Sequence, residues 1–93
     1  MFTWDLTKAL LNYDKHGVSF EEAVTIFSDV NGLDWSDRAH SIVEVRRKRL
    51  ARSESGRILL VVYTERKLAS GKETTRIISA RQASRKERQA YAR

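Results

Sequence analysis

The residues best equipped for chemistry are arginines near the end of the chain. The run Thr75-Arg76-Ile77-Ile78-Ser79-Ala80-Arg81-Gln82-Ala83-Ser84-Arg85-Lys86-Glu87-Arg88-Gln89-Ala90-Tyr91 places Arg76 on a predicted strand, Arg81 where strand passes to helix, and Arg85 in a first helical turn. Guanidinium groups hold phosphate oxygens through paired N–H donors. RNA carries its own nucleophile in the 2′-hydroxyl. A protein that cleaves it needs to orient that hydroxyl, move protons and offset charge on phosphorus. Histidine as a residue type suits general acid–base work and Glu65 ends an apolar stretch, so His16 and Glu65 are candidate proton carriers. Arg66, Arg76 and Arg81 are candidate phosphate holders.

Each of these residues also has a plainer use. His16 precedes Gly17 and suits a helix C-terminus, where a cation is favoured. Glu65 and Arg66 suit an ion pair at a strand end. Lys15, Arg47, Arg49, Arg85 and Tyr91 are candidate RNA contacts, with a solvated edge or helix face as the alternative. Among the aromatics, Trp4, Trp35, Tyr63 and Tyr91 are able to stack on bases, although core packing is the expected use of Trp4 and Tyr63.

Other chemistries find little support. The chain has no Gly-rich phosphate loop, no Gly-x-Ser-x-Gly turn and no His-Glu-x-x-His pair. It has no cysteine and two histidines, so thiolate catalysis is impossible, a standard structural zinc site is not expected, and no cofactor is predicted. The longest apolar run, Ile58 to Tyr63, suits a buried strand and not a membrane span. The opening Met1-Phe2-Thr3-Trp4-Asp5 lacks signal-peptide order, so a cytoplasmic location is the expectation. Charge is divided unevenly: residues 1–45 carry a net −5 and residues 46–93 a net +11. Such asymmetry predicts a positive face, and positive faces attract polyanions.

The elements that must position these groups read as follows. Asp5 is an N-cap for a helix to about Lys15, with Leu6, Ala9, Leu10 and Tyr13 as its apolar stripe and Gly17 as its left-handed end. Ser19-Phe20-Glu21-Glu22 has capping-box spacing and opens a second helix, in which Phe20, Ala23, Val24 and Phe27 share one side. Short strands are expected at Phe2–Trp4 and around Leu33 and Trp35. The segment Ile42 to Arg52 mixes apolar and basic residues on both faces, leaving its register open and a bulge possible. Arg57 to Thr64 reads as the most buried strand, and Thr74 to Ala80 as a further strand of an antiparallel sheet. Ser84-Arg85-Lys86-Glu87 is a further capping box for a helix over 85–92, docked through Ala83, Ala90 and Tyr91. The prediction is one α+β domain over residues 1–93. Its two N-terminal helices pack on a mostly antiparallel sheet of about four strands, and a short C-terminal helix follows.

Trp4-Asp5, Lys8-Ala9, Asn12, Lys15-His16-Gly17-Val18-Ser19-Phe20-Glu21-Glu22-Ala23, Gly56-Arg57, Thr64-Glu65-Arg66 and the Arg76-to-Tyr91 run together resemble the BrnT family. That family comprises ribonuclease toxins of bacterial type II toxin–antitoxin pairs. The resemblance spans nearly the whole chain in order, departing at Leu50-Ala51, where the family often reads Ile-Gly. It implies a RelE-like fold, metal-free RNA cleavage and inhibited translation. It also implies a protein partner, a BrnA-like antitoxin, through which operator DNA would be contacted indirectly. The expected activity is endonucleolytic transesterification by the 2′-hydroxyl, with Arg66, Arg76 and Arg81 on phosphate and His16 or Glu65 moving protons. The competing reading is a non-catalytic basic module that binds nucleic acid or an acidic partner.

Overall fold

A computed structural model describes residues 1–38 and 45–93 of the chain. Strand β1 (Phe2–Thr3) leads into helix α1 (Leu6–His16) and helix α2 (Phe20–Thr25), which tightens into a 3-10 turn over Ile26–Ser28. Four strands follow: β2 (Leu33–Asp37), β3 (Arg46–Arg52), β4 (Ile58–Lys67) and β5 (Glu73–Gln82). Helix α3 (Arg85–Tyr91) ends the described fold.

The helix ends follow the sequence. The Asp5 carboxylate accepts from the Lys8 backbone N–H (3.0 Å), and Gly17 closes α1 at φ 68°, a conformation that costs side-chain-bearing residues more. Ser84 and Glu87 form both bonds of the predicted capping box. The other box is half made. Ser19 Oγ accepts from Glu22 N–H (3.0 Å), whereas the Glu22 carboxylate turns away to Arg57, Ser53 and Ser55. The charged guanidinium outcompetes a neutral backbone donor.

The sheet has five strands in the order β1-β5-β4-β3-β2 and is mixed. The expectation of about four antiparallel strands is corrected at its edge, where β1 runs parallel to β5 through Phe2↔Thr75 and Thr3↔Arg76. The β3–β4 ladder is unbroken from Arg46 to Arg52. Residues 42–44 of the predicted strand lie outside the described residues. The bulge falls elsewhere, in β5: Val62 pairs with Ser79 and Tyr63 with Ile77, which leaves Ile78 as the extra residue.

Two apolar clusters hold the layers. On the helix side, Val18, Phe20, Ala23 and Ile26 pack on Ala51, Leu59, Val61, Tyr63, Ile77 and Ala80. On the opposite side, Leu50, Leu60 and Ala83 are covered with help from Ile58 and Tyr91. Ala83 and Tyr91 dock α3 as expected, but Ala90 is exposed. Each fully buried large side chain, such as Phe20 or Leu59, contributes roughly 1.5–3 kcal/mol.

The predicted stripe of α1 is also corrected. Leu6, Leu10 and Tyr13 are 70, 65 and 58 % exposed, and the inward side carries Ala9 and Asn12. Asn12 sets this rotation. Its Nδ2 donates to the Val18 carbonyl (3.0 Å) and the Ala80 carbonyl (2.8 Å), while its Oδ1 accepts from the Ala80 N–H (3.1 Å). A buried amide satisfied on both sides ties the helix to the edge of β5 beyond β1, and Ala9 is small enough to permit the approach.

Candidate functional site

Register and alternation sort the side chains of the sheet into two faces. On the helix-free face, the strands align Leu33, Leu50, Leu60 and Arg81 in one row, then Trp35, Lys48, Val62 and Ser79, then Asp37, Arg46, Thr64 and Arg76. Arg66 and Thr74 follow. Helix α3 covers the apolar first row through Ala83 and Tyr91. The remaining rows are dominated by cations, with the half-exposed Trp35 at one side. Three predicted phosphate holders, Arg66, Arg76 and Arg81, therefore share one surface.

The bulge makes this possible. Arg76 pairs with Thr64 and Arg81 with Leu60, positions of equal parity on β4, while the interval on β5 is odd. An unbroken β5 would put the two arginines on opposite faces.

Arg81 is held in a fork. Its Nη1 donates to Glu87 Oε1 (2.8 Å) and its Nη2 to Glu87 Oε2 (2.9 Å). The hydrogen bond from Arg81 holds the Glu87 carboxyl at about 2, well below the usual 4.5, against the opposing effect of burial. Glu87 also accepts from the Ser84 N–H (2.8 Å), so one carboxylate caps α3 and fixes the guanidinium. Arg76 has no carboxylate partner among the described residues, and Lys48 Nζ lies 4.0 Å from Asp37 Oδ2. The Thr64 hydroxyl, in the row of Arg46 and Arg76, is buried without a hydrogen-bond partner among the described residues.

Lys15 and His16 lie in the last turn of α1, which packs on β5 from the helix side. With Lys8, Leu11 and Asn12 of α1 and Ile78 and Ser79 of β5, they line a groove of about 240 Å³. Ser79 belongs both to this groove and to the open sheet face.

Glu65 lies elsewhere. It occupies the helix-side face with Arg47, Arg49 and Tyr63, lining a cavity of about 440 Å³ together with Phe27, Asp34 and Thr75. The arginines there are paired: Arg47 Nε donates to Asp34 Oδ1 (2.9 Å), and Arg49 Nη1 lies 3.5 Å from Asp34 Oδ2. Arg49 Nη2 also donates to the Asp29 carbonyl (2.8 Å). Tyr63 donates its hydroxyl to Asp34, and burial, then Asp34, pushes that phenol up to about 12. It stays protonated at neutral pH and is a donor, not a base. The thickness of the sheet thus separates Glu65, Arg47 and Arg49 from Arg66, Arg76 and Arg81.

The remaining candidates lie on α3. Arg85 is exposed in the first turn. Tyr91 donates to Asp29 Oδ2 (2.5 Å), and the Arg52 guanidinium sits 5.7 Å from its ring centroid, so both its polar and aromatic capacities are engaged. Sequence reasoning had given no site role to Lys48, Asn12 or Lys8, although Lys8 and Asn12 are among the residues that carry the family resemblance. Parity with the buried Leu50 was the available signal for Lys48, and the Ala9, Asn12, His16 spacing was that for Asn12. Among the described residues, no three His, Asp or Glu side chains gather as a metal-ligand set.

Residues 4–87 match the family described as the ribonuclease toxin BrnT of type II toxin–antitoxin systems. No curated protein matches the chain.

Proposed function

The chain belongs to the BrnT family of ribonuclease toxins of type II toxin–antitoxin systems, and from that membership we propose a metal-independent RNA endonuclease that inhibits translation in the cytoplasm. Residues 1–93 act as one catalytic unit, neutralised by a BrnA-like antitoxin that alone contacts operator DNA. The observation that carries the reading is the helix-free sheet face, where Lys48 and Arg76 project from paired strands beside Trp35 and Arg81 stands at the edge of α3.

Arg76 and Arg81 hold the scissile phosphate and offset the charge that builds on its oxygens, with Arg66 at the rim. Strand-borne guanidiniums need little rearrangement as that charge develops, which is the condition for electrostatic catalysis. Trp35 stacks on an adjacent base. His16, in the groove that Ser79 shares with this face, is the proton carrier of this reading; Glu65 lines the separate cavity with Arg47 and Arg49. The 2′-oxygen attacks phosphorus, its proton passes to the base, and the P–O5′ bond breaks as the 5′-oxygen takes up a proton. The products are a 2′,3′-cyclic phosphate and a 5′-hydroxyl.

The test is an end-labelled RNA incubated with purified protein in EDTA, beside Arg76→Ala and Arg81→Ala variants. Cyclic-phosphate ends from the wild type, lost in both variants, are the expected result. Binding without scission, on naked RNA and with ribosomes present, would replace this reading with that of a non-catalytic basic module. Scission that EDTA abolishes would remove the metal-independent mechanism.

A further inference from the structure

The groove between α1 and β5 has properties that the reaction centre does not require. Lys8 and Lys15 both line it, two helical turns apart and hence on one flank of α1, separated by about 10 Å along the axis. Both are exposed, and neither has a carboxylate within ion-pair distance among the described residues. Other cations on the helix side of the sheet differ: Arg47 and Arg49 are tied to Asp34, and Arg57 to Glu22. Two unpaired ammonium groups aimed along one groove make a track for anions.

The groove is also rigid. Asn12 forms its floor and is bonded to both polar atoms of the Ala80 backbone, so α1 is fixed against β5. Across from Leu11, the bulge residue Ile78 supplies an apolar wall that a regular strand would not place there. At Ser79 the groove is continuous with the sheet face that carries Arg76 and Arg81. A single strand leaving that face has a cationic path, with an apolar contact for a sugar or base.

We infer that the Lys8–Lys15 groove is a second phosphate subsite, gripping the backbone of single-stranded RNA beside the scissile phosphate. The inference rests on the ribonuclease reading but concerns different contacts. Lys8 and Lys15 bind phosphates that do not react; they strengthen binding and leave bond-breaking to the sheet face. Lysine suits this task, since it acts as a point charge without demanding a fixed geometry.

The test is binding of a 12-nucleotide 2′-O-methyl oligoribonucleotide, which lacks the nucleophile, followed by fluorescence anisotropy across a salt series. The pair of substitutions Lys8→Ala and Lys15→Ala is compared with Lys67→Ala and Lys72→Ala, which removes two charges at the exposed β4–β5 hairpin. Two lost phosphate contacts should reduce the slope of log K against log salt by about 1.4. The hairpin control should leave that slope near the wild-type value. An unchanged slope in the groove variant, or an equal drop in the control, overturns the subsite while leaving the ribonuclease reading intact. Failure of the wild-type protein to bind the oligonucleotide at all overturns both.

Discussion

Arg76 and Arg81 stand on the same face of the sheet although the interval between them on β5 is odd, because the bulge at Ile78 resets the alternation. Their surroundings nevertheless differ. Arg81 is forked to Glu87, whereas Arg76 has no carboxylate partner among the described residues.

That difference separates two substitutions. Arg76→Ala should lower kcat by about 10²–10³, the usual cost of removing one transition-state donor, with Tm nearly unchanged. Arg81→Ala should lower kcat to a similar degree and also cost about 1 kcal/mol of stability, because Glu87 loses its charge-assisted partner. Urea unfolding beside single-turnover cleavage distinguishes the two. Equal stability losses would mean that the Arg81–Glu87 fork contributes nothing to folding.

Asn12 is predicted to be structural in its effect and functional in its consequence. Asn12→Ala leaves buried backbone groups of Val18 and Ala80 without partners, at a cost of about 1–3 kcal/mol each at most. The urea midpoint should fall clearly. Hydrogen exchange of the Ala80 amide should speed up first, since that N–H loses its acceptor.

The outward side of α1 makes the opposite case. Leu6→Gln and Leu10→Gln should change stability by within about 0.5 kcal/mol, as surface substitutions do. Ala9→Leu should cost about 1–3 kcal/mol by overpacking the contact with β5. The reverse ranking in thermal unfolding would restore the stripe expected from sequence.

Acid should destabilise the protein through carboxylates that their partners hold low, Glu22 and Glu87 most of all. The hydrogen bond from Arg57 holds Glu22 at about 2, and the one from Arg81 holds Glu87 at about 2. Both bind protons more weakly when folded, so the unfolded chain takes up more protons as pH falls. Their contribution is complete above the ordinary value of 4.5 and is lost as pH drops from there toward 2. Denaturation midpoints measured between pH 7 and pH 2 should decline over that window. The double variant Glu22→Gln, Glu87→Gln should start lower and decline less.

Thr64 offers a simple measurement. Its buried hydroxyl has no partner among the described residues, so Thr64→Val should raise stability by roughly 1 kcal/mol. A loss instead would mean that the hydroxyl finds a partner, such as bound water, in solution.

Much of the frame was legible in the chain. Asp5, Gly17, Ser19 and Ser84 mark helix ends through local hydrogen bonds, and local chemistry is what sequence displays best. The buried strand around Leu59 to Tyr63 announced itself by continuous apolarity. The rotation of α1 was hidden because it depends on one amide reaching Ala80, a residue distant in the chain. Glu22 misled for the same reason: its nearby backbone partner lost to a distant Arg57. The register sets Arg66, Arg76 and Arg81 on one face and Glu65 on the other. Adjacent strand residues point to opposite faces, and only the register says which face is open.

The ion pairs of Arg47 and Arg49 with Asp34 bear on how the molecule finds its target. Charge cancelled behind the sheet leaves Arg76 on the open face, with Lys8 and Lys15 along the β5 edge, to weigh more in the field of the molecule. A polyanion approaching from any direction exerts a torque on such a molecule and turns it before the surfaces meet. Collisions become oriented encounters, and the gain fades once salt shortens the reach of the field. A carboxylate on the far side of the sheet thereby helps to decide which side of the protein arrives first.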